Sequence, residues 1–190
     1  MLNEFQIANE KPQPMGVSTT MEVKLCPPQP GRYKVNVDGA VFAKRKQVGI
    51  GVVIRDSVGE VIAALSQKLA RPFGALETKA KAMEVGVQFA LDVGVRDVTF
   101  EGDSLCICNA LRGVSEVPLF VQNIVFGLSH LVRNFRTYAF SHTKSQGNIP
   151  AHLLAQHAMG VESYVAWLKK CPSLIVSACA YDVVPDSHYE

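Results

Sequence analysis

Charge of either sign is scarce in this chain: 19 Lys and Arg stand against 17 Asp and Glu, a formal net charge of +2 over 190 residues. Undirected nucleic-acid binding calls for a broadly basic protein, so any polyanion here must meet a local patch. Cysteines number five (Cys26, Cys106, Cys108, Cys171 and Cys179), form no CxxC pair and leave an odd total. That argues against a disulfide framework and a zinc finger, and leaves free thiols in a reducing compartment as the simplest account. Long apolar runs are also missing, since none reaches the roughly 20 residues that a membrane span needs. The opening MLNEFQIANE lacks a secretory apolar region. Nucleus or cytoplasm follows by elimination, with no membrane partner and a monomer as the expected state. There is no internal repeat and no low-complexity tract.

What is present suits a globular protein: 48% of residues are hydrophobic and 19% charged. The length fits one α/β domain of about 130 residues with short flanks. Residues 1–31 lack apolar periodicity and hold Pro12, Pro14, Pro27, Pro28 and Pro30. CPPQPG runs neither as helix nor as central strand, so 1–31 reads as a disordered linker. The domain is expected over 32–160, with 161–190 as a C-terminal extension packing on it or trailing it.

YKVNVDGAVF alternates as a half-buried strand does, and VGIGVVIRD and EVIAALSQKLA add two more β-rich runs around a tight turn at 57–59. From Ala75 to Val93 the period becomes helical, through Ala80, Met83, Val87, Ala90 and Leu91, and Gly94 can close the end. VTFEGDS follows as a short strand parallel to the first. Helices are expected over Leu105–Leu111 and 119–133, a fifth strand at RTYAFSH, and a last helix AHLLAQHA capped by Asn148. The architecture predicted is α/β, a five-stranded mixed sheet of three antiparallel then two parallel strands, with helices on both faces. The segment beyond Gly160, broken at Pro172, is left unassigned.

Three carboxylates fall at telling places. Asp38 lies inside the first strand, where an acid in an apolar run is costly unless paired or metal-bound. Asp103 ends the fourth strand, at the crevice where the chain reverses its direction of building. Glu77 lies in the first helical turn and can project over the same spot. Clustered carboxylates repel unless a cation neutralises them, and hard oxygen donors select Mg²⁺ or Mn²⁺. Two such ions about 4 Å apart would activate water and stabilise the leaving oxygen of a phosphodiester. Each acid also has a plainer reading: Asp38 beside a turn, Glu77 as a first-turn acid paired with Lys81, Asp103 with Ser104 as a helix cap.

VDGA, ALETKA, FEGDS and SHTKSQGNIPAHLLA, in this order and spacing, resemble ribonuclease H, specifically the reverse-transcriptase-like branch abundant in plant genomes. The resemblance covers about Tyr33 to Tyr181, because WLKKCPSLI is similar to that branch's tail. It implies an RNase H-like fold and a retroelement origin. It also implies cleavage of the RNA strand of RNA–DNA hybrids with two Mg²⁺ or Mn²⁺ ions, which makes hybrid or another nucleic acid the partner. By position, Asp38, Glu77 and Asp103 would be metal ligands, and His142 would resemble the mobile histidine that assists catalysis. The family's fourth acidic ligand falls at His152, which would take both catalytic and metal roles. An imidazole there favours Mn²⁺, Zn²⁺ or Ni²⁺ over Mg²⁺ and removes one negative charge.

The resemblance further brings the main chain at Gly39 and Ala40 close to the RNA strand, with Ser104 and Asn148 nearby. Lys44, Arg45, Lys46 and Lys144 are placed to meet phosphates. GVSEVPLF passes directly between helices without the basic protrusion of some bacterial members, which predicts weak substrate affinity. A catalytically weak, retroelement-derived module that binds nucleic acid or a protein is therefore the alternative to a working endonuclease. Nothing resembling a reverse-transcriptase domain accompanies the motifs, so a detached module and a fragment of a longer polyprotein both stay open.

Overall fold

The computed structural model describes residues 30–180. The linker expected over 1–31 lies outside them except for its last two residues, as does the end of the chain after 180.

Alternation makes the first strand, β1 (Tyr33–Phe42), two-faced. Val35 and Val37 join the main apolar core, while Asn36 and Asp38 turn the other way and bond Asn148 and His152. β1 pairs antiparallel with β2 (Gln47–Arg55), and β2 with β3 (Val61–Leu69). Asp56 sets the turn between β2 and β3, its carboxylate accepting from the N–H groups of Val58 and Glu60 at 3.0 and 2.9 Å. Helix α1 (Ala75–Val93) then crosses the sheet and ends on Gly94, whose φ of 91° is the left-handed cap expected there. It returns the chain so that β4 (Asp97–Gly102) lies parallel to β1, and β5 (Thr137–His142) parallel to β4. Between them run α2 (Leu105–Leu111) and α3 (Leu119–Leu131), while α4 (Ile149–His157) covers the opposite face.

The fold is the mixed α/β sheet expected, with one addition: six strands among the described residues, ordered β5-β4-β1-β2-β3-β6. The sixth, β6 (Tyr164–Leu168), extends the antiparallel edge beside β3 and comes from the segment the sequence left unassigned. Its alternation is short and its side chains mostly exposed, so only Trp167 marks an inner face. With the short helix α5 (Val176–Ala180) it packs residues 161–180 onto the domain around Val53, Ala64, Leu154 and Ile175.

The two helical layers fix the site by close approach. A Cβ at Gly86 would sit 2.3 Å from Val37 Cγ1, so α1 lies directly on β1. On the other face a Cβ at Gly51 would meet the Ala151 carbonyl at 2.0 Å, which seats α4 on β2. Any side chain at either glycine would lift a helix off the sheet. Among the described residues no helix is long and apolar enough to cross a membrane.

Candidate active site

β1 is the strand from which the sheet grows in both directions, and its crevice with β4 opens at the strands' C-terminal ends. β4 stops at Gly102, opposite Val37, so Asp38 and Asp103 stand one step beyond the last paired residues. Asp38 is 2% exposed in its side chain and Asp103 14%. Two carboxylates this buried and this close need a cation.

That cation is Lys79. Its ammonium donates to Asp38 Oδ1 and, at 3.0 Å, to Asp103 Oδ2. It also lies 2.8 Å from Asp103 Oδ1, a buried oxygen with no hydrogen bond of its own. Burial alone would lower the lysine's pKa. The hydrogen bonds to Asp103 and Asp38, with their charges, outweigh burial and hold it above the ordinary 10.5. It is therefore charged at neutral pH.

Glu77, expected over this spot, faces elsewhere. Its carboxylate accepts from the Gly74 N–H at 3.0 Å, closing the first turn of its own helix. The reason is angular: two residues along a helix amount to about 200° of rotation, so Glu77 and Lys79 lie on nearly opposite sides of α1. Lys79, Met83, Gly86 and Ala90 form one stripe at spacings of four, three and four, and that stripe packs on β1 and β4. The plain reading of Glu77 as a first-turn acid fits this placement. Its expected pairing with Lys81 does not, since Lys81 bonds Glu84 instead.

His152 reaches the corner from α4, with Nδ1 2.8 Å from Asp38 Oδ2 and a side chain 54% exposed. Asp38 is thus held by Lys79 on one side, His152 on the other, and its neighbour's Gly39 N–H at 2.7 Å. Ser145, not anticipated from the sequence, donates to Asp103 Oδ2 at 3.2 Å. His142 ends β5 half-buried opposite Gly102, one strand beyond the carboxylates. The structure therefore gathers Asp38, Asp103 and His152, and it adds Lys79 and Ser145. A lysine two residues past an acid at a helix start carries no signal unless the buried stripe is extended back from Met83.

The residues expected at a nucleic-acid surface divide. Lys44, Arg45 and Lys46 are exposed on the turn after β1, and Lys144 is exposed before α4. Gly39 and Ala40 are buried, and Gly39 has its own packing reason: a Cβ there would lie 2.6 Å from the Thr78 side chain and 2.9 Å from its carbonyl. Ser104 caps α2 through the Ile107 N–H at 3.5 Å. Asn148 does not cap α4 with its side chain and does not face solvent: at 1% exposure it donates to the Val37 carbonyl at 2.8 Å and accepts from Asn36 at 3.2 Å. It fastens α4 to β1, and its polar atoms are spent there. Cys108 is a core thiol, its pKa pushed up by burial.

A sheet whose antiparallel strands β1, β2 and β3, with β6 added at the edge, are continued by the parallel β4 and β5, with paired acids at the β1–β4 crevice and helices on both faces, defines an RNase H-like domain. The model of the reverse transcriptase-like family matches residues 36–158, and the chain belongs to that family. Among solved structures it is similar to RNase H1 from the halophilic archaeon Halobacterium salinarum, at 21% identity and a TM-score of 0.64, covering 68% of this chain and 98% of that one. The N-terminal RNase H domain of a Mycobacterium tuberculosis protein matches at 19% identity and 0.62, covering 68% and 94%. LC11-RNase H1, solved in complex with an RNA/DNA hybrid, matches at 19% and 0.62, covering 67% and 96%. No curated protein matches the sequence.

The RNase H resemblance implies a divalent metal ion at these acids. The residues here do not fit one. The oxygens of Asp38 and Asp103 that would face an ion face the Lys79 ammonium, and the Glu77 carboxylate is engaged with Gly74. Among the described residues no group of three or more His, Cys, Asp or Glu side chains is placed to hold a metal.

Proposed function

We propose that this domain is an RNase H-like module that binds nucleic-acid duplexes, RNA–DNA hybrid first among them, and does not turn them over by the two-ion route. The observation that carries the reading is the Lys79 ammonium between Asp38 and Asp103, where a nuclease of this fold needs a divalent ion. Hybrid as the ligand is supported by the family and by the fold, which LC11-RNase H1 shares in its hybrid complex. The exposed Lys44, Arg45 and Lys46, on the turn after β1, and Lys144 offer phosphate contacts, few enough that affinity is weak and salt-dependent.

The nuclease reading keeps one observation in its favour: Asp38, Asp103 and His152 still converge. Both readings meet in one assay on the full chain, with a labelled RNA–DNA hybrid, first in EDTA and then in Mg²⁺ and Mn²⁺. The proposal expects hybrid bound in all three conditions and the RNA strand intact. RNA cleavage that disappears in Asp38→Asn would overturn it, as would failure to bind hybrid at low salt.

A further inference from the structure

We infer that Lys79 is a built-in cation that makes this corner independent of divalent ions, and that a cation site lies latent behind it, one substitution away. The inference rests on reading the corner as the RNase H site.

Three features argue for replacement rather than a chance contact. The ammonium meets three carboxylate oxygens, Asp38 Oδ1 on β1 and Asp103 Oδ2 and Oδ1 just past β4, with a compact charge and three donors. Those are the hard oxygens that Mg²⁺ or Mn²⁺ would take. Next, the cation is tethered: Gly86 lies on Val37, and a Cβ at Gly102 would lie 3.3 Å from Met83 Cε, so the helix carrying Lys79 is fixed on the sheet at this point. A tethered charge loses no translational freedom on binding, whereas an ion from solution does. Finally, an arriving divalent ion would have to expel an ammonium that then stands beside two positive charges.

The corner is nonetheless built to take a cation. Two acids against one ammonium leave one negative charge in excess, and both Lys79, at 25% exposure, and His152 border solvent. Removing the ammonium leaves the two carboxylates facing a gap, with the His152 imidazole on the other side of Asp38. An acid at this position would restore a third carboxylate on the helix stripe that Glu77 does not occupy.

Mn²⁺ is the probe, used without nucleic acid so that the outcome is separate from hybrid binding. Melting temperature and calorimetric titration are followed for the wild-type full chain, Lys79→Glu and Lys79→Met, the last in case the crowded acids of the first prevent folding without metal. Wild type shows no saturable Mn²⁺ binding and no rise in melting temperature. Either variant gains saturable binding, with a rise of about 5 °C at an ion concentration 100-fold above its dissociation constant. Adding Asp38→Asn abolishes the gain. Wild-type Mn²⁺ binding that Asp38→Asn or Asp103→Asn removes would overturn the inference, and so would variants that fold yet gain no affinity. If wild type binds Mn²⁺ but leaves hybrid intact, this inference fails while the proposed function stands. If wild type ignores Mn²⁺ and also fails to bind hybrid, the reverse holds.

Discussion

Lys34 meets Glu101 across β1 and β4 at 3.0 Å, and four residues further along β1 Asp38 meets Lys79, which also reaches Asp103. The first pair is closed. Its side chains are 9% and 11% exposed, and Glu101 also accepts from Asn36, which in turn bonds Arg55 and Asn148. The polar run takes in a second buried cation, Arg55, and ends by docking α4 through the Val37 carbonyl. The second pair is open. One ammonium serves two carboxylates, the lysine and His152 border solvent, and the strands end beside it. The same chemistry, lysine against carboxylate, fastens the sheet at the inner end and leaves an unbalanced, reachable corner at the outer one. Position along two parallel strands, not residue type, separates a structural pair from a site.

The largest expected effect is at the closed end. Glu101→Gln removes the buried negative charge that faces Lys34 and should cost about 3–4 kcal/mol, read by urea unfolding. Lys79→Met should cost less, about 1–3 kcal/mol, because the lysine is a quarter exposed and Asp38 keeps His152 and the Gly39 N–H while Asp103 keeps Ser145. A loss at Lys79 equal to that at Glu101 would erase the distinction between the two ends.

The Lys79 contribution also has a direction in pH. Its folded pKa lies above 10.5, so the stabilisation is fully present below that value and fades as pH rises through the folded pKa. The gap between wild type and Lys79→Met should therefore stay level from neutral pH to about 10 and narrow above it, followed by thermal melts across pH. The smallest effect belongs to His152→Ala, whose half-exposed hydrogen bond to Asp38 is worth about 1 kcal/mol or less.

Most of the sheet was legible in the sequence because its strands alternate and its main helix keeps a clean period. Asp38 and Asp103 were legible for a related reason: an acid at an otherwise apolar strand is a local anomaly. The helix contribution was not. ALETKA offers an acid at Glu77 and a lysine at Lys79, and both sit in the first turns of α1. Only the packing of Gly86 on Val37 decides which side faces the strands. Asn148 misled in the opposite way: it stands where a cap belongs, but its side chain is drawn into the buried run from Arg55 and Asn36. β6 escaped because a five-residue edge strand with exposed faces carries little pattern.

The central claim is that an ammonium, not a metal ion, stands between Asp38 and Asp103. A crystal structure of the full chain grown in millimolar Mn²⁺, with anomalous diffraction recorded at the manganese edge, tests it directly. The expected result is Lys79 Nζ within hydrogen-bond distance of both carboxylates and no anomalous peak there. A manganese peak shared by Asp38 and Asp103, with Lys79 swung out and Glu77 turned in, would contradict it.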